Sequence, residues 1–135
     1  MELLHTDTTD KIIKAFYKVN NELGFGFLEK VYQNALLLEL VELGLHCEKQ
    51  KQVKVYYRGQ VVGEYFADLI ANDSVIIELK AAEILVEAHE LQLINYLKAT
   101  EMEVGLLLNF GRKPQFKRKI FTNNRKNNGT QITQI

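Results

Sequence analysis

The sequence predicts an α/β domain: two helices, three strands, a helix and a further strand, built on a mixed β-sheet of about four to five strands. Three observations carry this prediction. Apolar residues keep helical spacing through the first third of the chain. The period then changes to two from Cys47 onward. Finally, a continuous apolar run, VGLLLNF (Val104 to Phe110), is reached through a helical stretch and so implies a parallel crossover.

The elements follow in order. Thr9 and Asp10 offer an N-cap to a first helix in which Ile12, Ile13, Phe16, Val19 and Leu23 recur at helical spacing until Gly24. GFGF (Gly24 to Phe27) interrupts the pattern, and a second helix runs from Leu28 to Leu43 and stops at Gly44, with an apolar face wide enough to lie deep in the protein. Val53, Val55 and Tyr57 then alternate with Lys54, Tyr56 and Arg58 in a half-buried strand that turns at Gly59 into a hairpin partner, Val61 to Ile70. Asn72, Asp73 and Ser74 make the next turn, and Val75 to Lys80 form a third strand apolar enough for a central position. Glu83 to Thr100 returns to the helical period. Val104 to Phe110 is the crossover strand, and Lys117 to Phe121 adds a candidate edge strand. Residues 1–122 therefore read as one domain and residues 123–135 as a polar, flexible C-terminal tail.

Composition narrows the function classes. A chain of 135 residues buries a core without staples. The single cysteine, Cys47, forms no intramolecular disulfide and stands in no Cys/His cluster, which argues against a secreted scaffold and structural zinc; it reads as a small buried hydrophobe rather than a nucleophile. MELLHTDTTD is acidic and polar where a signal peptide is basic then apolar, and no apolar run approaches the ~20 residues of a membrane span. A cytoplasmic protein with no membrane partner is expected. The formal charge of zero hides an asymmetry. Residues 1–103 hold ten Lys and Arg against all 17 acids, whereas residues 104–135 carry seven basic residues and no acid. That segment suits phosphate backbones, or else is simply a solvated tail.

The chemistry concentrates on SVIIELKAAE (Ser74 to Glu83). Glu78 and Lys80, two apart on a strand, share a side of an otherwise apolar run. Asp68 stands on the preceding strand. A three-residue turn at Asn72–Ser74 opposes Ala71 to Val75 and therefore Asp68 to Glu78, whereas a two-residue turn opposes Ile77 to Asp68. Two like charges across a strand pair are destabilising unless a cation lies between them. Lys80 offers one as a structural salt bridge, and a hard divalent ion such as Mg²⁺ or Mn²⁺ offers another.

ADLIANDSVIIELKA resembles the signature of the PD-(D/E)XK nuclease superfamily, an Asp on one strand and Glu-x-Lys on the next, flanked by helices. More narrowly, GFGFLEKVYQNALLLEL and HELQLINYLKATEMEVGLLLNFG resemble the small proteins called the GxxExxR family. The likeness runs from about Lys11 to Phe121 and departs at Ala67, where the superfamily pattern has Pro, and at Tyr32, where the family name has Arg. It implies a restriction-endonuclease-like core, Mg²⁺ or Mn²⁺ held by Asp68, Glu78 and the backbone carbonyl of Leu79, and Lys80 positioning water or stabilising developing charge. Nucleic acid, DNA before RNA, is the implied partner.

Two further residues follow from position and resemblance together. Glu29 shares a helix stripe with Tyr32, Leu36, Leu40 and Leu43, and reads either as an auxiliary metal ligand or as a first-turn carboxylate favoured by the helix dipole. Gln92 lies on a stripe with Leu85, His89, Tyr96 and Ala99, and Gln92-x-x-x-Tyr96 resembles the helix motif of the exonuclease-like branch, which implies a phosphate or water contact. His89 reads as an ordinary helix histidine and Tyr96 as core. The rival function is a non-catalytic nucleic-acid-binding or assembly module that keeps the nuclease fold, including a homodimer joined through the VGLLLNF strand or the second helix.

Overall fold

The computed structural model describes residues 4–126 of the chain. In chain order the elements are α1 (Thr6–Leu23), α2 (Glu29–Glu42), β1 (Cys47–Tyr57), β2 (Gln60–Ala71), β3 (Val75–Lys80), α3 (Glu87–Lys98), β4 (Val104–Asn109) and β5 (Gln115–Ile120), followed by a 3₁₀ turn, Asn123–Arg125. The strands form one five-stranded sheet in the order β1-β2-β3-β4-β5. Only β3 and β4 run parallel, joined by the α3 crossover, and the other neighbours are antiparallel. This is a restriction-endonuclease-like α/β architecture.

Helices cover both faces. Against α1 and α2 the sheet buries Leu69, Val75, Ile77, Leu79, Leu106 and Leu108, which pack with Phe16, Tyr32, Leu36 and Leu40. Against α3 it buries Ile70, Ile76 and Leu107 with Leu93 and Leu97. A strand covered on both faces must be apolar throughout, so β3 and β4 are, apart from the residues discussed below. All six residues of β4 are buried between β3 and β5, which removes the VGLLLNF strand as a dimer surface. The outer side of α2 stays apolar and exposed at Leu38 and Val41.

Two helix starts differ from the sequence expectation, each because a side chain found a tertiary partner. α1 begins at Thr6, not after Thr9. Thr9 is buried, donates its hydroxyl to the Thr6 carbonyl at 3.2 Å and accepts from Arg118 of β5, so it is unavailable as a cap. α3 begins at Glu87, not Glu83. The buried Asn109 amide accepts from Ala82 N–H at 3.0 Å and donates to Ala82 C=O at 2.9 Å, holding that segment extended. Gly111 is required beside it, because a Cβ there would meet Ala82 O at 2.4 Å. Leu85 consequently lies outside the helix, and His89 closes its first turn by accepting Val86 N–H at Nδ1 (3.3 Å).

Tyr32 occupies the position where the resemblance has Arg. It is fully buried, stacks on Phe110 (centroids 4.5 Å apart), accepts Phe27 N–H and donates to Gly24 C=O, so it ties the GFGF turn to α2. At the other end, Lys126 donates to the carbonyls of Thr100 (2.7 Å) and Met102 (2.9 Å). Residues 127–135, where a flexible tail is expected, lie outside the described residues. Among the described residues no helix is long and apolar enough to cross a membrane.

A candidate metal centre at the fork of the sheet

The turn between β2 and β3 spans three residues: Ala71 pairs with Val75, Ile70 with Ile76 and Leu69 with Ile77. Asn72 and Asp73 adopt φ of 52° and 51°, the left-handed conformation that Asn and Asp tolerate, and Ser74 N–H closes the turn on Ala71 C=O. This register carries Asp68 opposite Glu78, and the regular ladder stops one pair short of them. There the strands fork, and side chains replace the backbone ladder. Asp68 N–H donates to Glu78 Oε2 at 2.9 Å, and Leu79 N–H donates to Asp68 Oδ2 at 2.9 Å.

The pair is partly held out of water, with Asp68 half-buried and Glu78 buried. Glu78 is 8% exposed, and burial first, then the charge of Asp68, pushes its carboxyl up to about 8. Burial also raises Asp68, with the Leu79 N–H and the Lys80 charge pulling the other way. Lys80 is half-buried two residues on, yet no Lys or Arg forms an ion pair with either carboxylate among the described residues. The structural salt bridge that the sequence allowed is absent. Asp68 Oδ1 and Glu78 Oε1 carry no hydrogen bond among the described residues, leaving two hard oxygen donors at the fork with only the charge of Lys80, not in ion-pair contact, acting on them. That donor set fits a divalent ion.

The other expected residues separate into near and far. Glu29 is exposed on the first turn of α2, and its charge reaches Glu78, adding to the upward push. Gln92 is exposed on α3, where its side chain makes no hydrogen bond among the described residues. Tyr96, four residues on, is half-buried and stacks on Tyr65 with centroids 3.5 Å apart. Burial and then the charge of Glu78 and Asp68 push the Tyr96 hydroxyl up to about 12. Cys47 is half-buried and burial pushes its thiol up, which is the opposite of an activated nucleophile.

Sequence reading missed Gln33. This residue of α2 is 5% exposed, and its Nε2 donates to the main-chain carbonyl of Asp68 at 3.2 Å. The only hint lay in its spacing: Gln33 follows Glu29 by four and precedes Leu36 and Leu40 by three and seven, which puts it on the sheet-facing stripe.

A second acidic group lies beside the β2–β3 turn. Ligand atoms of His46, Glu48 and Asp73 fall within 4.8 Å of one another. His46 and Asp73 are exposed, and Lys51 already reaches Glu48 (3.5 Å) and Asp73 (3.9 Å). The basic C-terminal segment is also partly committed within the fold. Arg112 pairs with Glu83, Lys119 pairs with Glu90 at 2.6 Å, and Arg118 bonds Leu4 C=O.

A central strand that forks from its neighbour at a partly buried carboxylate pair, with a lysine two residues beyond, defines a class of α/β scaffold suited to holding a divalent ion. The family model of the PD-(D/E)XK nuclease superfamily matches residues 6–119, and the chain belongs to that superfamily. No curated protein and no solved structure matches it significantly.

Proposed function

We propose that the protein is a divalent-metal-dependent nuclease that hydrolyses phosphodiester bonds of nucleic acid, DNA in preference to RNA, with Mg²⁺ or Mn²⁺ as its ion. The observation that supports this most is the pairing of buried Glu78 with half-buried Asp68, which no Lys or Arg joins in an ion pair among the described residues. Asp68, Glu78 and the Leu79 carbonyl are the proposed ligands, with Glu29 as an auxiliary one. Bound there, the ion lowers the pKa of water and offsets charge on the scissile phosphate.

The remaining steps belong to the chain. Lys80, free of an ion pair with either carboxylate, keeps its ammonium available to orient the attacking water and to stabilise charge developing on the phosphate. Gln92, exposed on α3 with its hydrogen-bonding capacity unused, contacts phosphate or the water. Lys113 and Lys117, which form no ion pair among the described residues, give sequence-independent backbone contacts, so binding weakens steeply with salt. We read the chain further as a GxxExxR-type member, on Gly26, Glu29 and the α3–β4 segment, with residues 1–122 as one nuclease domain working in the cytoplasm. For a homodimer, the exposed outer side of α2 is the available surface.

The test is isothermal titration of Mn²⁺ and Mg²⁺ into the wild type and Asp68→Asn, followed by cleavage assays on single-stranded DNA, duplex DNA and RNA. Binding by the wild type, lost in Asp68→Asn together with turnover, supports the reading. Nucleic-acid retention without metal binding or cleavage overturns it in favour of a non-catalytic binding module.

A further inference from the structure

From Cys47–Ala71 to Val55–Gly63, β1 and β2 keep one register, Lys49 with Leu69 and Lys51 with Ala67, and the one pair missing from that stretch is Gln50 with Asp68. Gln50 has φ of 54°, a left-handed conformation that turns its main chain away from the regular ladder at that position. On the other side, the β2–β3 ladder ends at Leu69–Ile77. Asp68 is therefore the residue at which β2 leaves both neighbours at once.

Its main-chain groups are nevertheless satisfied, by side chains. The N–H donates to Glu78 Oε2 at 2.9 Å, and the C=O accepts Gln33 Nε2 at 3.2 Å. Gln33 in turn accepts Gln50 Nε2 at its Oε1, 3.5 Å away. A carbonyl on one side and an amide donor on the other determine which end of the Gln33 amide is which. An amide buried among Tyr32, Leu36 and Leu40 costs more than an apolar side chain would unless its bonds are made, so its presence at 5% exposure calls for a reason.

We infer that Gln33 is a positioning residue for Asp68: its amide replaces the missing β1–β2 ladder bond and thereby sets the direction in which the Asp68 carboxylate enters the fork. A main chain released from both ladders is free to rotate, and a rotation at Asp68 swings Oδ2 away from Leu79 N–H. Gln33, anchored on α2 and steadied by Gln50, blocks that rotation. The geometric part of the inference stands on the hydrogen bonds alone. Its consequence for ion binding rests on the metal-site reading proposed above.

The test uses the full chain and Gln33→Met, which keeps the side-chain length and packing but removes both hydrogen bonds. Amide hydrogen exchange of the metal-free protein is measured by NMR, followed by Mn²⁺ titration. Exchange at Asp68 and Leu79 N–H about tenfold faster than in the wild type, with Ile76 and Leu107 unchanged, supports the inference. Unchanged exchange at Asp68 and Leu79, or uniform acceleration at all four amides, overturns it and leaves Gln33 a packing residue. If Gln33→Met does not fold, Gln50→Ala, altered at an exposed position, takes its place and shows the same local acceleration to a smaller degree; no acceleration there overturns it. With Mn²⁺, affinity in Gln33→Met falls about tenfold, as for loss of a residue that orients a ligand. A wild type that binds no Mn²⁺ while the local exchange effect is present overturns the metal-site reading and upholds the positioning role.

Discussion

The two ends of the β2–β3 pair each gather acidic side chains, and they differ in every property that matters for holding an ion. At the turn, Glu48 and Asp73 lie beside the solvent and Lys51 reaches both. At the fork, Glu78 is buried and Asp68 half-buried, both bond to the main chain of the opposite strand, and neither forms an ion pair with Lys or Arg among the described residues. The first group has an ion-pair partner within the protein; the second feels Lys80 only at a distance. At the fork an added ion would relieve a desolvation cost already incurred in folding, whereas at the exposed turn it would not.

The largest effects are expected at the fork. Asp68→Asn removes one proposed ligand charge and should abolish Mn²⁺ binding and lower any cleavage rate by at least about a hundredfold, while circular dichroism stays native. Lys80→Ala should cut cleavage by a comparable factor, about 10²-fold, yet leave Mn²⁺ affinity within about threefold, which separates a charge-stabilising role from a ligand role. Loss of native structure in both variants would instead make the three charges a structural unit.

A smaller effect concerns pH. The Glu78 carboxyl is pushed from an ordinary value of 4.5 up to about 8 in the folded chain, so the folded state holds its proton more tightly than the unfolded one. Its contribution is fully present below the unfolded value and is lost as pH rises through the folded one. Metal-free protein should therefore lose stability across about pH 4.5 to about 8, and Glu78→Gln should flatten that decline in denaturant titrations. Saturating Mn²⁺ should flatten it too, since binding to the folded state alone adds stability. The smallest effect is expected at the turn: Glu48→Gln and Asp73→Asn should leave Mn²⁺ affinity and cleavage within about twofold of wild type, as expected for exposed ion pairs. A tenfold loss in either would invert the comparison and move the ion to the turn.

Much of this was legible in one dimension. Periodicity located β3 as Val75–Lys80, and VGLLLNF, reached through a helix, identified the parallel crossover. The Asn72–Ser74 turn, once taken as three residues, opposed Asp68 to Glu78 because strand pairing is arithmetic from the turn outward. Helix starts were less legible, since Thr9 looks like a cap and Glu83 like a helix start until Arg118 and Asn109, distant in sequence, claim their segments.

By itself, then, the sequence determined the order of elements and a central place for β3, and it reduced the facing of the carboxylates to the length of one turn. Only the tertiary structure decided that the strands fork at Asp68, that Lys80 forms no ion pair with either acid, and that Gln33 takes over a ladder bond. Those outcomes depend on where α2 comes to rest against β2, on the break at Gln50 and on how deeply Glu78 is buried, quantities set by three-dimensional packing that no spacing along the chain encodes.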